Sequence, residues 1–238
     1  MRTTLYALLK PKSLLKTTLL ARKLSGIPAL LLFALGVWGG LFSVPADYQQ
    51  GEYARILYVH VPASWGALAI YSCMAILSAI GLITRMPQFF LISKAIAPIG
   101  FTYCVISLAT GSLWGKPTWG AFWVWDARLT SMFILLLLYI GYIHLSRPHN
   151  LRQLVPASFL SVLGFINIPI IKGSVEWWYT LHQPATIRVF AKTSALHPSM
   201  AWPLWIMALA FALYAIYLGT YRMERLMSES MRTPSCAM

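Results

Sequence analysis

Histidines and a crowded run of tryptophans are the parts of this chain equipped for chemistry. His60 stands in YVHVP, His182 in EWWYTLHQP, and His197 directly before Pro198. Residues 114–131, WGKPTWGAFWVWDARLTS, hold Trp114, Trp119, Trp123 and Trp125, four of the ten tryptophans, and close on Asp126 and Arg128. Neutral imidazole nitrogens ligate iron, copper, nickel and zinc. Each large aromatic ring adds roughly 150 to 250 Å² of contact area. Several rings together exceed the apolar patch a monomer normally exposes, so the cluster must meet lipid, a partner protein or a flat ligand. Two imidazoles from separate segments facing an aromatic platform fit a haem, with axial nitrogens for the iron and apolar surface for the macrocycle.

Each of these residues also has a plainer reading. A lone histidine near a membrane interface is more often a hydrogen-bonded structural residue than a ligand, and His197 suits that role best. Asp126 and Arg128 are two apart and would not face each other on a helix. Two roles are open for Asp126: N-cap of a helix starting at about residue 127, or a hydrogen bond that orients the tryptophan segment or a ligand histidine. Trp119 and Trp123, four apart, would share one face if helical, while Gly115, Pro117 and Gly120 break or turn the chain. That predicts a short surface-lying helix or turn.

The elements that must position these residues belong in a bilayer. The chain has 238 residues, 58% hydrophobic and only 11% charged, too apolar for an ordinary soluble domain. Apolar runs of spanning length fall near 27–45, 57–84, 95–113, 129–146, 154–171 and 199–220. The expected fold is an all-α integral membrane protein, a six-transmembrane-helix bundle with a tryptophan-rich outer loop. Residues 1–26 read as a basic cytoplasmic leader and 27–221 as the membrane domain. The signature loop lies at 114–126, a further outer loop at 172–198, and a cytoplasmic tail at 222–238. A cleaved signal peptide is disfavoured, because the first apolar run is too long and its basic leader too extended.

Charge placement sets the sidedness. The net charge is +13, but thirteen of the nineteen Lys and Arg residues fall in the leader, the second and fourth loops and the tail. The positive-inside rule therefore puts both termini in the cytoplasm and leaves no need for nucleic acid. All ten tryptophans then lie on the outer side, and Tyr139, Tyr142, Tyr217 and Tyr221 mark the inner interface. Trp38, Trp202 and Trp205 suit an interfacial belt. Outer cations Arg55, Lys116, Arg128, Arg188 and Lys192 are candidates for the haem propionates. His144 and His149 sit on the inner side, where a solvated role is the default.

Several function classes are excluded or weakened. No ionisable acid or base of the Asp, Glu, Lys or Arg type falls in the six apolar runs, against a charge-relay transporter. There is no Walker A sequence, so nucleotide energy would come from another chain. Cys73, Cys104 and Cys236 form no C-x-x-C and no disulfide framework. A lipid-acting enzyme would need clustered outer acids, whereas Asp47, Glu52, Asp126 and Glu176 are scattered. A purely structural subunit of an ABC exporter remains as the alternative.

WGKPTWGAFWVWD resembles the tryptophan-rich WWD signature of haem-handling membrane proteins. With YVHVPASW, RLTS and NIPIIKGSVEWWYTLHQP, the resemblance narrows to the cytochrome c maturation protein C family, also called haem exporter protein C or CcmC, over nearly the whole chain apart from the leader and the tail. It implies that His60 and His182 are the axial ligands of a transiently held haem b. It also implies that Trp114, Trp119, Trp123, Trp125 and Asp126 form the signature, with Arg55 and Arg128 among the cations near it. No catalytic residue is implied. The family presents haem at the periplasmic face of the bacterial inner membrane to a haem chaperone, cytochrome c maturation protein E, whose own histidine bonds it. Its associates are the ABC subunits A and B and the small protein D.

Overall fold

A chain in hydrocarbon must satisfy every backbone N–H and C=O internally, so apolar stretches of this length become helices. The computed structural model describes residues 11–147, 154–183, 187–188, 193–194 and 197–232. His149, Arg152, Lys192 and Cys236 lie outside the described residues. The helices are α1 (Pro11–Trp38), α2 (Leu57–Thr84), α3 (Pro87–Trp119), α4 (Ala127–Leu145), α5 (Val155–Gly164), α6 (Asn167–Trp177) and α7 (Pro198–Arg232). A turn of π-helix over Gly39–Ser43 and a 3-10 turn over Glu52–Ile56 flank the loop between α1 and α2. Beyond the helices stands a two-residue antiparallel ribbon pairing Ile187 with Ser194 and Arg188 with Thr193. Six helices or helix pairs are long and apolar enough to cross a membrane, as expected.

Helix bounds extend past the apolar runs. α1 starts at Pro11 and α7 ends at Arg232, so much of the basic leader and tail continues the first and last spans as helix. Arg22 and Glu224 pair there at 3.1 Å, which ties the two extensions together. The fifth span is broken. Phe165 and Ile166 interrupt it with three-residue hydrogen bonds, Phe165 N–H to the Val162 carbonyl and Ile166 N–H to the Leu163 carbonyl, both 3.3 Å. Pro169 has no N–H to give the Phe165 carbonyl, which accepts from Ile168 instead at 3.0 Å. Asn167 anchors the break by donating to the Ser131 carbonyl at 2.9 Å.

Packing between helices relies on small residues that let large rings approach. A Cβ on Gly100 would lie 2.2 Å from Tyr139 Oη, and one on Gly39 would lie 2.3 Å from the Trp202 ring. Tyr139 and Tyr142 are therefore not interfacial anchors: both are buried. Tyr139 donates its hydroxyl to the Ala67 carbonyl at 2.7 Å, and a buried phenol needs such a partner. Tyr221 remains exposed, as an interface residue would be. Trp38 and Trp205 are also exposed, whereas Trp202 is packed on Gly39.

Gly100→Val should lower the unfolding free energy in detergent by about 1 to 3 kcal/mol, the usual cost of overpacking. A denaturant titration beside the neutral control Ile83→Val measures it, since Ile83 is exposed.

Candidate functional site

The site is assembled by α3, which runs unbroken through the first six of the thirteen residues of the tryptophan signature. Trp114 and Trp119 lie on its last turns, and Gly120, at φ 80°, ends it in the left-handed region that glycine tolerates. Of the expected short surface-lying helix or turn, the turn is present, at Gly120, and Pro117 is accommodated inside α3. Trp119 and Trp123 consequently do not stack. Trp119 meets His182 with ring centroids 6.2 Å apart, while Trp123 meets Trp125 at 5.4 Å and Phe133 at 6.1 Å.

His60, on the first turn of α2, is half-buried against α3. Its ring meets Trp114 edge-on at 5.7 Å. Its Nδ1 lies 3.0 Å from the Ser107 carbonyl and 3.1 Å from Thr110 Oγ1. A carbonyl can only accept, so Nδ1 carries the proton and Nε2 keeps a free lone pair. The Thr110 hydroxyl already donates to the Ile106 carbonyl at 2.6 Å and can accept from the same Nδ1–H. Gly111 makes room: a Cβ there would sit 3.0 Å from the imidazole Cε1.

His182 repeats this arrangement from the segment that follows α6. Its Nδ1 faces the Gln183 carbonyl at 2.8 Å, again leaving Nε2 unprotonated. Burial pushes the His182 pKa down, and repulsion from Arg128 adds to this; the Gln183 carbonyl and Asp126 pull weakly the other way. The ring is therefore neutral at neutral pH, the state a metal ligand needs. Trp114 touches His60 and Trp119, farther along the same helix, touches His182, so α3 links the two rings.

His197 is different in kind. Its Nδ1 lies 2.8 Å from Ser199 Oγ, a hydroxyl that can give or take the proton, and 3.3 Å from the Ser199 backbone N–H, and its carbonyl accepts from Met200 and Ala201 N–H at the start of α7. It caps a helix, the structural role expected of it.

Arg128 lies among these groups. It donates to the Ile171 carbonyl, tying α4 to α6, and acts electrostatically on His60, His182 and Lys172. Asp126 is the N-cap of α4, its Oδ1 accepting from Leu129 N–H at 2.7 Å. It makes no hydrogen bond to either histidine of the pair. Its Oδ2 is buried without a partner, as is Trp123 Nε1. Buried orphans of this kind ask for a ligand or water. Arg55 stands apart, held by Glu52 and by the Gly40 carbonyl at 2.6 Å.

Gln50, Thr110 and Gly111 were not foreseen. Gln50 accepts from Trp114 Nε1 at 2.7 Å, and an Asp47 turn holds it there by accepting from Gln49 and Gln50 N–H. Only the spacing of Gly111 from Trp114 along one helix hinted at such a contact. Trp177 ends α6 rather than standing in a loop, and with Trp125, Trp178 and Tyr179 it is exposed.

A family model described as Heme exporter protein C matches residues 4–236. The chain belongs to the heme exporter protein C family. The match takes in the leader and tail, which the motif resemblance had left out. A Marchantia polymorpha protein named putative cytochrome c biosynthesis ccmC-like mitochondrial protein is 47% identical over 180 residues, 76% of each chain. Heme exporter protein C of Escherichia coli (strain K12) is 44% identical over 203 residues, covering 84% of this chain and 81% of its own. Its namesake in Bradyrhizobium diazoefficiens is 42% identical over 219 residues, covering 90% and 82%. In this member of the heme exporter protein C family, Asp126 holds the geometry of the signature through its cap.

Asp126→Ala should cost about 1 kcal/mol of unfolding free energy, while Asp126→Asn, which can still accept from Leu129, should stay within about half of that. Denaturant titration of both variants in micelles checks the pair.

Proposed function

We propose that this chain binds haem at the outer membrane face, with His60 and His182 as axial ligands, and presents it for covalent attachment during cytochrome c maturation. The observation that carries the reading is the shared tautomer. Two histidines from different segments each give Nδ1–H to a main-chain carbonyl and keep Nε2 free, while His197 does not. A carbonyl behind the imidazole is the usual support for a metal-ligating histidine.

The rest of the arrangement suits the macrocycle. Trp114 and Trp119 each touch one ligand ring and would flank the porphyrin. Arg128 and Lys172 supply positive charge for the propionates. Arg128 is a better partner than Arg55, whose charge Glu52 already neutralises. Trp123 Nε1 offers a further donor. The exposed rim of Phe122, Trp125, Trp177, Trp178 and Tyr179 gives a partner apolar surface to approach.

The receiving partner in this reading is the haem chaperone, cytochrome c maturation protein E, and its histidine supplies the nucleophile. This chain orients the haem and needs no catalytic group of its own. Its associates are the ABC subunits A and B and the small protein D. The bacterial inner membrane is the assigned location, with the haem periplasmic and both termini cytoplasmic by the positive-inside rule. Similarity to a plant protein named as mitochondrial makes the mitochondrial equivalent the second choice.

Visible absorption of the detergent-purified protein tests the ligand pair. The haem Soret band should fall in His60→Gly and in His182→Gly and recover with added imidazole, while His197→Gly keeps it. A colourless wild type under haem-sufficient expression would favour a structural subunit instead.

The platform has its own test. Trp119→Ala should weaken haem affinity about 3- to 10-fold, the worth of one aromatic contact, and Trp125→Ala, which touches no ligand histidine, should change it less. Haem titration of apoprotein distinguishes them.

A further inference from the structure

The other end of the bundle holds a second concave site. Lys94 and Trp114 stand 20 positions apart on α3, about 30 Å along the helix axis, so this site is on the far side of the membrane from His60. Lys94 from α3, Arg147 just past α4 and Arg222 from α7 line a cavity of about 250 Å³, and Pro98, Ile143 and Leu226 give it an apolar wall.

Arg222 spends its Nε–H on the Ala95 carbonyl at 2.9 Å, which leaves its terminal nitrogens to point elsewhere. Lys94 donates to the Arg147 carbonyl at 3.5 Å and feels the carboxylate of Glu229. The Arg147 guanidinium makes no ion pair among the described residues and is exposed. Arg225 adds further positive charge beside Arg222, and the nearby Glu224 is engaged by Arg22. Lys94, Arg147 and Arg222 thus line a single opening, with the Glu229 carboxylate acting on Lys94.

The positive-inside rule explains basic residues at this face. It does not explain why three helices bring them to one cavity with an apolar wall. Guanidinium groups bind phosphate oxygens in a planar, two-pronged manner, and basic pockets between membrane helices hold anionic head groups. We infer that this cavity binds a phosphate-bearing anion, the head group of an anionic phospholipid, whose acyl chain lies along Pro98, Ile143 and Leu226. A soluble phosphate compound shares the chemistry but would make no use of the apolar wall.

The test is lipid binding to the full chain, delipidated in neutral detergent and followed by native mass spectrometry and thermal stability. Phosphatidylglycerol and cardiolipin should be retained and stabilising, and phosphatidylcholine should not. Arg147→Gln and Lys94→Gln should each weaken retention about fivefold. Arg147 is exposed and its side chain makes no ion pair among the described residues, so unchanged circular dichroism will certify the fold of Arg147→Gln. His60→Gly should bind the lipid as wild type does, which separates this site from the haem reading. Equal retention of anionic and zwitterionic lipid, or no loss in Arg147→Gln, would overturn the proposal. Displacement of the lipid by millimolar inorganic phosphate would keep the anion site but overturn its assignment to a lipid.

Discussion

Two main-chain carbonyls, those of Ser107 and Gln183, determine what the rest of this molecule can be for. Each takes the Nδ1 proton of an imidazole, His60 or His182, and so turns an ambidextrous ring into one with a defined lone pair on Nε2. A ring free to tautomerise would present either nitrogen, and His197, whose Nδ1 faces the Ser199 hydroxyl and not a carbonyl, is such a ring. The carbonyl of Ser107 can serve in this way although it lies within a helix, because a carbonyl oxygen has two lone pairs.

The scaffold follows from that requirement. α3 carries Ser107, Thr110 and Gly111 behind His60 and then continues to Trp114 and Trp119, so a single rigid element sets one histidine and two flat rings. Rigid helices hold such a geometry better than loops do. His182, by contrast, is on a loop and is steadied by neighbours: the Trp119 ring, the Gln183 carbonyl and its own N–H donated to Thr180 Oγ1 at 2.9 Å. The helix break at Phe165 and the bond from Arg128 to the Ile171 carbonyl tie α6, which leads into that loop, to α4. A cation held among imidazoles favours their neutral form and attracts an anionic ligand through the same field.

Much of this was legible in the sequence, for identifiable reasons. The spans were readable because hydrocarbon demands length and apolarity, and those are local properties. The His60 and His182 segments stood out by residue type, and Asp126 was a recognisable cap because capping depends on a few adjacent residues. What could not be read was geometry across segments. Gln50 reaching Trp114, Gly111 admitting His60, and Tyr139 lying inside rather than at the interface all depend on which helix packs on which. The four-residue spacing of Trp119 and Trp123 misled because helicity stops between them at Gly120, where the backbone turns left-handed. Nor could the sequence position of Arg55 show its pairing with Glu52, three residues earlier.

Electron paramagnetic resonance of the ferric haem-loaded protein is the most direct test of the central claim, because the iron's spin state reports its axial ligands. Two imidazoles predict a low-spin signal in the wild type, replaced by a high-spin one in His182→Gly and restored by added imidazole. A wild-type signal that is high-spin, or one that stays low-spin and unaltered when His60 or His182 is removed, would contradict the account.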